Sequence, residues 1–360
     1  MAREELMQVL GKSSEELLSQ TVKDQSTVLM DPDPPFLKTY EALFDSQPEP
    51  SDTNQAKEVE ECELPLIDLG RLNRESKAEQ CKRDIMVAAS EWGFFQVVNH
   101  GVSSGLLDRL RELQVNVFRA PFVKKASEKL LDLSPENYRW GSPRPTSLSQ
   151  LSWSEAYHVP LTPANGLTKT ITTRHIMEEF STAMSWLAHI LAGILAEGVG
   201  HDGTYIPENC RCNTSYLRLN RYPPCPVKNR VFGLVPHTDS SFLTIVRQDQ
   251  VGGLQLMKDG RWITVKPSLD ALIVNIGDLF QAWSNGVYKS VEHRVLSNPH
   301  QERFSVAYFL CPSHDTVIQS HAEPAIYRKF SFGEYRQRVQ EDVKETGRKI
   351  GLARFLVQST

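Results

Sequence analysis

From residue 216 onward the chain breaks into short runs of β-branched and aromatic residues, separated every few positions by Gly, Pro, Asn or Asp. Seven or eight short strands over about a hundred residues, with turn residues at this density, close up as a sandwich or a roll. The candidate strands are 216–219, 243–246, 254–257, 262–265, 272–276, 291–295 and 304–310, with a helix over 332–346 lying outside them. The expected fold is mixed α and β, with a double-stranded β-helix (jelly-roll) core and flanking helices.

The first half reads differently. Residues 1–60 are polar and charged, with the proline cluster Asp31-Pro32-Asp33-Pro34-Pro35, and suggest a loosely held arm with a short helix around Phe36, Tyr40 and Leu43-Phe44. Leu64-Pro65-Leu66-Ile67-Asp68 and Phe94-Phe95-Gln96-Val97-Val98 read as strands, with a helix over 77–92 between them and a second helix capped by Ser103 or Ser104. In the most apolar stretch, Phe180, Met184, Leu187, Leu191 and Ile194 recur at helical spacing, while Ser185, His189 and Glu197 interrupt it. That is an amphipathic core helix and not a membrane span. The expected organisation is an arm at 1–60, a helix and strand region at 61–205, the jelly roll at 206–315 and a helical end at 316–360.

Forty Lys and Arg against 44 Asp and Glu give a net charge of −4, which points away from nucleic acid and acidic membranes and leaves a small-molecule partner open. Six scattered cysteines and an opening Met-Ala-Arg-Glu-Glu without an apolar signal core fit a cytoplasmic protein with reduced thiols. Cys210 and Cys212 have no second pair at zinc-site spacing and read as structural.

His237-Thr238-Asp239 puts an imidazole and a carboxylate on one face of an extended segment, and His293 sits in an alternating run where it shares a side with Val291 and Val295. Alone, a His-x-Asp is a weak signal. Two imidazoles and one carboxylate form a facial triad with open positions, which suits iron(II) meeting a chelating co-substrate and dioxygen. Ten residues past His293, Arg303 and Ser305 share one strand face, so a planar guanidinium and a hydroxyl point together toward a carboxylate-sized partner. A plain surface arginine is the other reading. Tyr222 supplies a phenol just before the rigid turn Pro223-Pro224-Cys225-Pro226.

These residues, with Trp92-Gly93-Phe94-Phe95-Gln96-Val97-Val98-Asn99-His100-Gly101, Val251-Gly252-Gly253-Leu254-Gln255 and Asn275-Ile276-Gly277-Asp278, resemble the plant 2-oxoglutarate and iron(II)-dependent dioxygenases from about residue 31 to 356. The resemblance implies iron(II) at His237, Asp239 and His293, 2-oxoglutarate held by Tyr222, Arg303 and Ser305, dioxygen as oxidant and ascorbate in support. Tyr138-Arg139-Trp140-Gly141, Ser152-Trp153-Ser154-Glu155-Ala156-Tyr157-His158 and Ala282-Trp283-Ser284-Asn285-Gly286 are similar to the gibberellin 2-beta-dioxygenases that act on C20 gibberellins. The implied substrate is a diterpenoid acid, with Arg139, Trp140 and Tyr157 as candidate pocket residues that singly also fit structural roles. His100 and His158 read as structural. Residues 1–29 look like an extension. Oxidation of another gibberellin carbon or of a flavonoid, and a non-catalytic sensor of a small acid, are the alternatives.

Overall fold

The computed structural model describes residues 34–46, 61–130, 133–161, 171–210, 214–227 and 231–357. Expectations for residues 1–33 and 47–60, and for Cys212, lie outside them. The chain divides into two compact units, Met1–Thr39 and Tyr40–Thr360, and the second carries the sheets and the long helices.

Its principal strands are β1 (Glu61–Cys62), β2 (Leu66–Asp68), β3 (Phe94–Val98), β4 (Tyr138–Trp140), β5 (Glu155–Pro160), β6 (Tyr216–Tyr222), β7 (Phe232–His237), β8 (Leu243–Gln248), β9 (Leu254–Lys258), β10 (Arg261–Val265), β11 (Leu272–Ile276), β12 (His293–Leu296) and β13 (Arg303–Leu310). The larger sheet runs in the order β2-β3-β11-β8-β13-β6-β5-β4 and the smaller in the order β1-β10-β9-β12-β7. From β6 to β13 the chain steps repeatedly between sheets. Strands β6, β8, β11 and β13 build the core of the larger sheet, and β7, β9, β10 and β12 the core of the smaller, which is the double-stranded β-helix. Leu254, Leu256, Val265 and Val295 of the smaller sheet join Phe94, Tyr222 and Ile273 of the larger in one buried apolar cluster between them.

The outer face of the larger sheet is covered by helices, so its central strands are buried on both sides and read as nearly unbroken apolar runs. All eight residues of β13 are buried. The helices are α1 (Glu75–Glu91), α2 (Ser104–Phe118), α3 (Ile171–Gly198) and α4 (Phe332–Thr346). Ser103 caps α2 by accepting from the Leu106 amide at 3.2 Å, and α4 ends on Gly347, whose φ of +73° needs a residue without Cβ. Over Arg174–Gly198, α3 is long and apolar enough to cross a membrane, yet its Phe180, Met184, Leu187 and Leu191 are buried in the protein core.

Two differences from the sequence expectation bear on the site. Strand β7 was not expected, because Gly233 and Pro236 interrupt it; it is the edge strand of the smaller sheet, where a proline costs no ladder hydrogen bond. Strand β12 begins at His293 instead of 291, leaving Val291 and Glu292 in the preceding turn.

Candidate metal centre

The unexpected strand is the one that delivers a ligand. His237 ends β7 directly opposite His293, the first residue of β12, and their ring centroids lie 4.3 Å apart. Asp239 sits two residues beyond the strand end, in the turn to β8, and its Oδ1 is 3.7 Å from His237 Nε2 and 3.8 Å from His293 Nε2. One potential ligand atom from each of the three side chains falls within 4.8 Å of the other two, and this is the one such group of three among the described residues.

Neighbouring hydrogen bonds aim these atoms. His237 Nδ1 donates to the Val235 carbonyl at 2.8 Å and His293 Nδ1 to the Val291 carbonyl at 3.0 Å. A carbonyl can only accept, so each ring carries a proton on Nδ1 and turns Nε2, the nitrogen left to bind a metal, to the centre. Asp239 Oδ2 accepts from Thr244 Oγ1 at 2.6 Å and from Asn275 Nδ2 at 2.8 Å, which leaves Oδ1 facing the imidazoles. Burial, then the adjacent His293, push the His237 imidazole below its usual pKa and keep it neutral. Burial alone would raise the Asp239 carboxyl, but the two imidazoles and its two hydrogen bonds outweigh this and hold it below its ordinary range. A neutral imidazole and an ionised carboxylate are the forms that bind a divalent cation. The donor set therefore fits iron(II), with three protein ligands and the other positions open.

The turn carrying Asp239 rests against the start of the helix Asp278–Trp283. The Asp278 amide donates to the Asp239 carbonyl at 2.8 Å, and at Gly277 a Cβ would lie 2.0 Å from the Ser241 carbonyl oxygen, so only glycine permits the approach. Thr244 and Asn275 were not singled out from sequence as site residues. The available signal was a polar residue inside an otherwise apolar buried strand, which needs a partner there. Replacing Asn275 with alanine is expected to weaken metal binding roughly tenfold or more, as for other groups that orient a ligand. Anaerobic titration with iron(II) or cobalt(II) measures it, and unchanged affinity would remove Asn275 from this role.

Arg303 lies opposite Tyr222, and Ser305 opposite Asn220, where β13 pairs with β6. The Arg303 guanidinium is 3% exposed and stands over the Tyr222 ring at 4.8 Å; its Nη2 donates to Gln248 Oε1 at 2.8 Å. Arg303 Nε and Nη1 and Gln248 Nε2 have no protein partner, although all are buried. Unpaired buried donors on a cation are costly unless an anion completes them. Ser305 Oγ accepts from Asn220 Nδ2 at 3.3 Å and keeps its own proton to donate. Arg303 and Tyr222 also line a cavity of about 390 Å³, whose wall includes neither Ser305 nor the three grouped metal-binding residues. Gln248 is a further residue that sequence reasoning did not pick out.

A second cavity, of about 1370 Å³, opens beside His237. Val235, Pro236, Val339, Val343 and Ile350 give it apolar wall, and Arg144, Lys344 and Arg348 give it positive charge. The sequence-based pocket residues lie elsewhere. Tyr157 packs in the core against Phe118 and Tyr138, Trp140 packs edge-on to Phe122, and Arg139 Nη1 donates to the Glu136 and Tyr138 carbonyls. None of the three lines the cavity at His237, whose wall comes instead from the loop just after β4 and the end of α4. His158 stacks on Tyr216 and His100 Nδ1 accepts from the Val102 amide, both structural contacts.

Residues 213–312 match the 2OG-Fe(II) oxygenase superfamily, and residues 64–176 match the N-terminal region of the non-haem dioxygenases in morphine synthesis. The chain is 54% identical over 336 residues to gibberellin 2-beta-dioxygenase 8 of Arabidopsis thaliana, covering 90% of this chain and 98% of that protein. It is 55% identical over 333 residues to gibberellin 2-beta-dioxygenase 5 of Oryza sativa subsp. japonica, covering 89% and 96%. Among solved structures it is similar to JOX2 in complex with 2OG, Fe and JA, with a TM-score of 0.70 and 32% identity over 88% of this chain and 97% of that one.

Proposed function

The chain belongs to the 2OG-Fe(II) oxygenase superfamily, and from that premise we propose that it hydroxylates gibberellins at the 2β position, with C20 gibberellins as its favoured class. The reading is carried by identity to two gibberellin 2-beta-dioxygenases that runs almost from end to end and does not stop at the iron-binding region. When bound, iron(II) and 2-oxoglutarate would supply the oxidation of an unactivated C–H bond by dioxygen, one oxygen atom going to the new hydroxyl and the other to succinate as carbon dioxide leaves. His237, Asp239 and His293 would hold the metal, and Arg303 would pair with the far carboxylate of 2-oxoglutarate, with Ser305 and Tyr222 beside it. The protein's own task is to place one substrate carbon and to exclude competing oxidation.

A gibberellin is a compact, mostly hydrocarbon acid, and the cavity beside His237 suits it by pairing apolar wall with the positive charge of Arg144, Lys344 and Arg348. Arg144 and Arg348 would meet substrate carboxylate. Replacing both with alanine is expected to raise the KM for the gibberellin about fivefold or more while leaving the 2-oxoglutarate requirement alone, since each exposed charge contributes about 1 kcal/mol or less. An unchanged KM would move carboxylate recognition off this rim. The same proposal places the protein in the cytosol, where its unbridged cysteines, Cys62, Cys81, Cys210, Cys225 and Cys311, stay reduced.

The decisive experiment supplies purified protein with iron(II), 2-oxoglutarate and air, offers C20 and C19 gibberellins separately, and identifies products by mass and retention. A 2β-hydroxylated C20 product with matching succinate is expected. Hydroxylation at another carbon would overturn the position, and preference for the C19 compound would overturn the substrate class.

A further inference from the structure

Lys349 lines the cavity beside His237, next to the rim cations, yet its ammonium is taken up by protein acceptors. Nζ lies 2.8 Å from Asp278 Oδ2, 2.9 Å from the Thr238 carbonyl oxygen and 2.9 Å from Ser240 Oγ. An ammonium has three protons, so these three acceptors saturate it. Two of them flank Asp239 in sequence.

The third acceptor ties the same turn a second time. Asp278 Oδ2 also accepts from Thr238 Oγ1 at 3.1 Å and from the Tyr335 hydroxyl, and the Asp278 amide holds the Asp239 carbonyl. Asp278 is 2% exposed, and the Lys349 side chain 11%. Residues 238–240 belong to no strand or helix, so the backbone ladder that fixes His237 and His293 does not fix Asp239. Beyond the one backbone hydrogen bond from Asp278, its position depends on side chains, and Lys349 and Tyr335, acting through Asp278, bring those from the far end of the chain.

We propose that Lys349, with Asp278 and Tyr335, is a positioning clamp that holds the 238–240 turn so that Asp239 can complete the metal centre, and that Lys349 is not a substrate anchor. The clamp makes the segment after α4 part of the metal site although it supplies no ligand. It also accounts for a cation in the cavity wall that is already neutralised, while its neighbours Arg144, Lys344 and Arg348 have no ion-pair partner among the described residues.

The test is cobalt(II) binding to the metal-free protein, followed by the absorption bands of the coordinated ion. Because it requires no gibberellin, its failure is separate from failure of the substrate assignment. Lys349→Met keeps the apolar stem and removes all three donors; it is expected to weaken cobalt(II) binding about tenfold and to alter the bands. Lys349→Arg is expected not to restore either, because a planar fork cannot converge on three acceptors around one nitrogen. Wild-type affinity and bands in a folded Lys349→Met protein would overturn the clamp. So would a variant whose defect is confined to the KM for the acid substrate and is rescued by arginine, the pattern of an anchor. Should Lys349→Met fail to fold, Ser240→Ala removes one acceptor only; a smaller loss of affinity in the same direction supports the clamp, and none overturns it.

Discussion

Replacing Asp239 with alanine is expected to abolish iron binding and turnover together while the chain remains folded. Its Oδ1 is the only carboxylate oxygen among the three grouped ligand atoms, so the variant keeps two imidazoles and loses the charged member of the triad. A metal ligand that supplies several kcal/mol of the catalytic effect corresponds to a fall in kcat of about a thousandfold or more. The structural cost is smaller. Thr244 and Asn275 lose a shared acceptor in a buried setting, which costs about 1 to 3 kcal/mol against a typical domain stability of about 5 to 15 kcal/mol. Metal content by mass spectrometry, circular dichroism and succinate release measure the three parts separately. Iron-dependent succinate formation in the variant would remove Asp239 from the ligand set.

The same residue shows where sequence reading reaches and where it stops. The types His, Asp and His, and their order on an all-β background, were enough to suggest a facial metal site, because few other arrangements use those groups with open positions. The turn that places Asp239 was not legible. Its support comes from Thr244, Asn275, Asp278 and Lys349, from 5 to 110 residues away in the chain, and no periodicity connects them. The fold followed a similar division. Buried strands such as 272–276 are largely apolar and stood out, whereas β7 contains Gly233 and Pro236 and is held by its ladder to β12 on one side and by a single bridge, at Ser152 and Trp153, on the other. The lining of the cavity beside His237 was not legible for another reason. Arg139, Trp140 and Tyr157 are conspicuous as types, but aromatic residues in short strands next to a core most often pack into it, as Tyr157 does. Arg144 lies only four residues beyond the last of the Tyr138-Arg139-Trp140 run and faces the cavity because the chain leaves β4 there.

Substituting lysine for Arg303 is expected to raise the KM for 2-oxoglutarate about tenfold or more, with a smaller change in kcat and none in the KM for the gibberellin. Charge is retained, so a loss must come from geometry. Arg303 spends one Nη2 proton on Gln248 and keeps Nε and Nη1 buried without a protein partner, so the second Nη2 proton and the free N–H beside it form an edge spaced for the two oxygens of one carboxylate. Lysine offers one nitrogen and forfeits both the paired geometry and the stacking over Tyr222. A charge-assisted hydrogen bond is worth about 1.5 to 3 kcal/mol, which sets the tenfold floor. Arg303→Gln removes the charge as well, and the loss should deepen. Because the anchored carboxylate is remote from the reacting carbon, binding should suffer before chemistry, the signature of an interaction made equally in ground and transition states. Steady-state kinetics with 2-oxoglutarate as the varied substrate decide it: a wild-type KM in Arg303→Lys would mean that a point charge suffices or that the anchor lies on another residue, and a normal KM in Arg303→Gln as well would leave only the second.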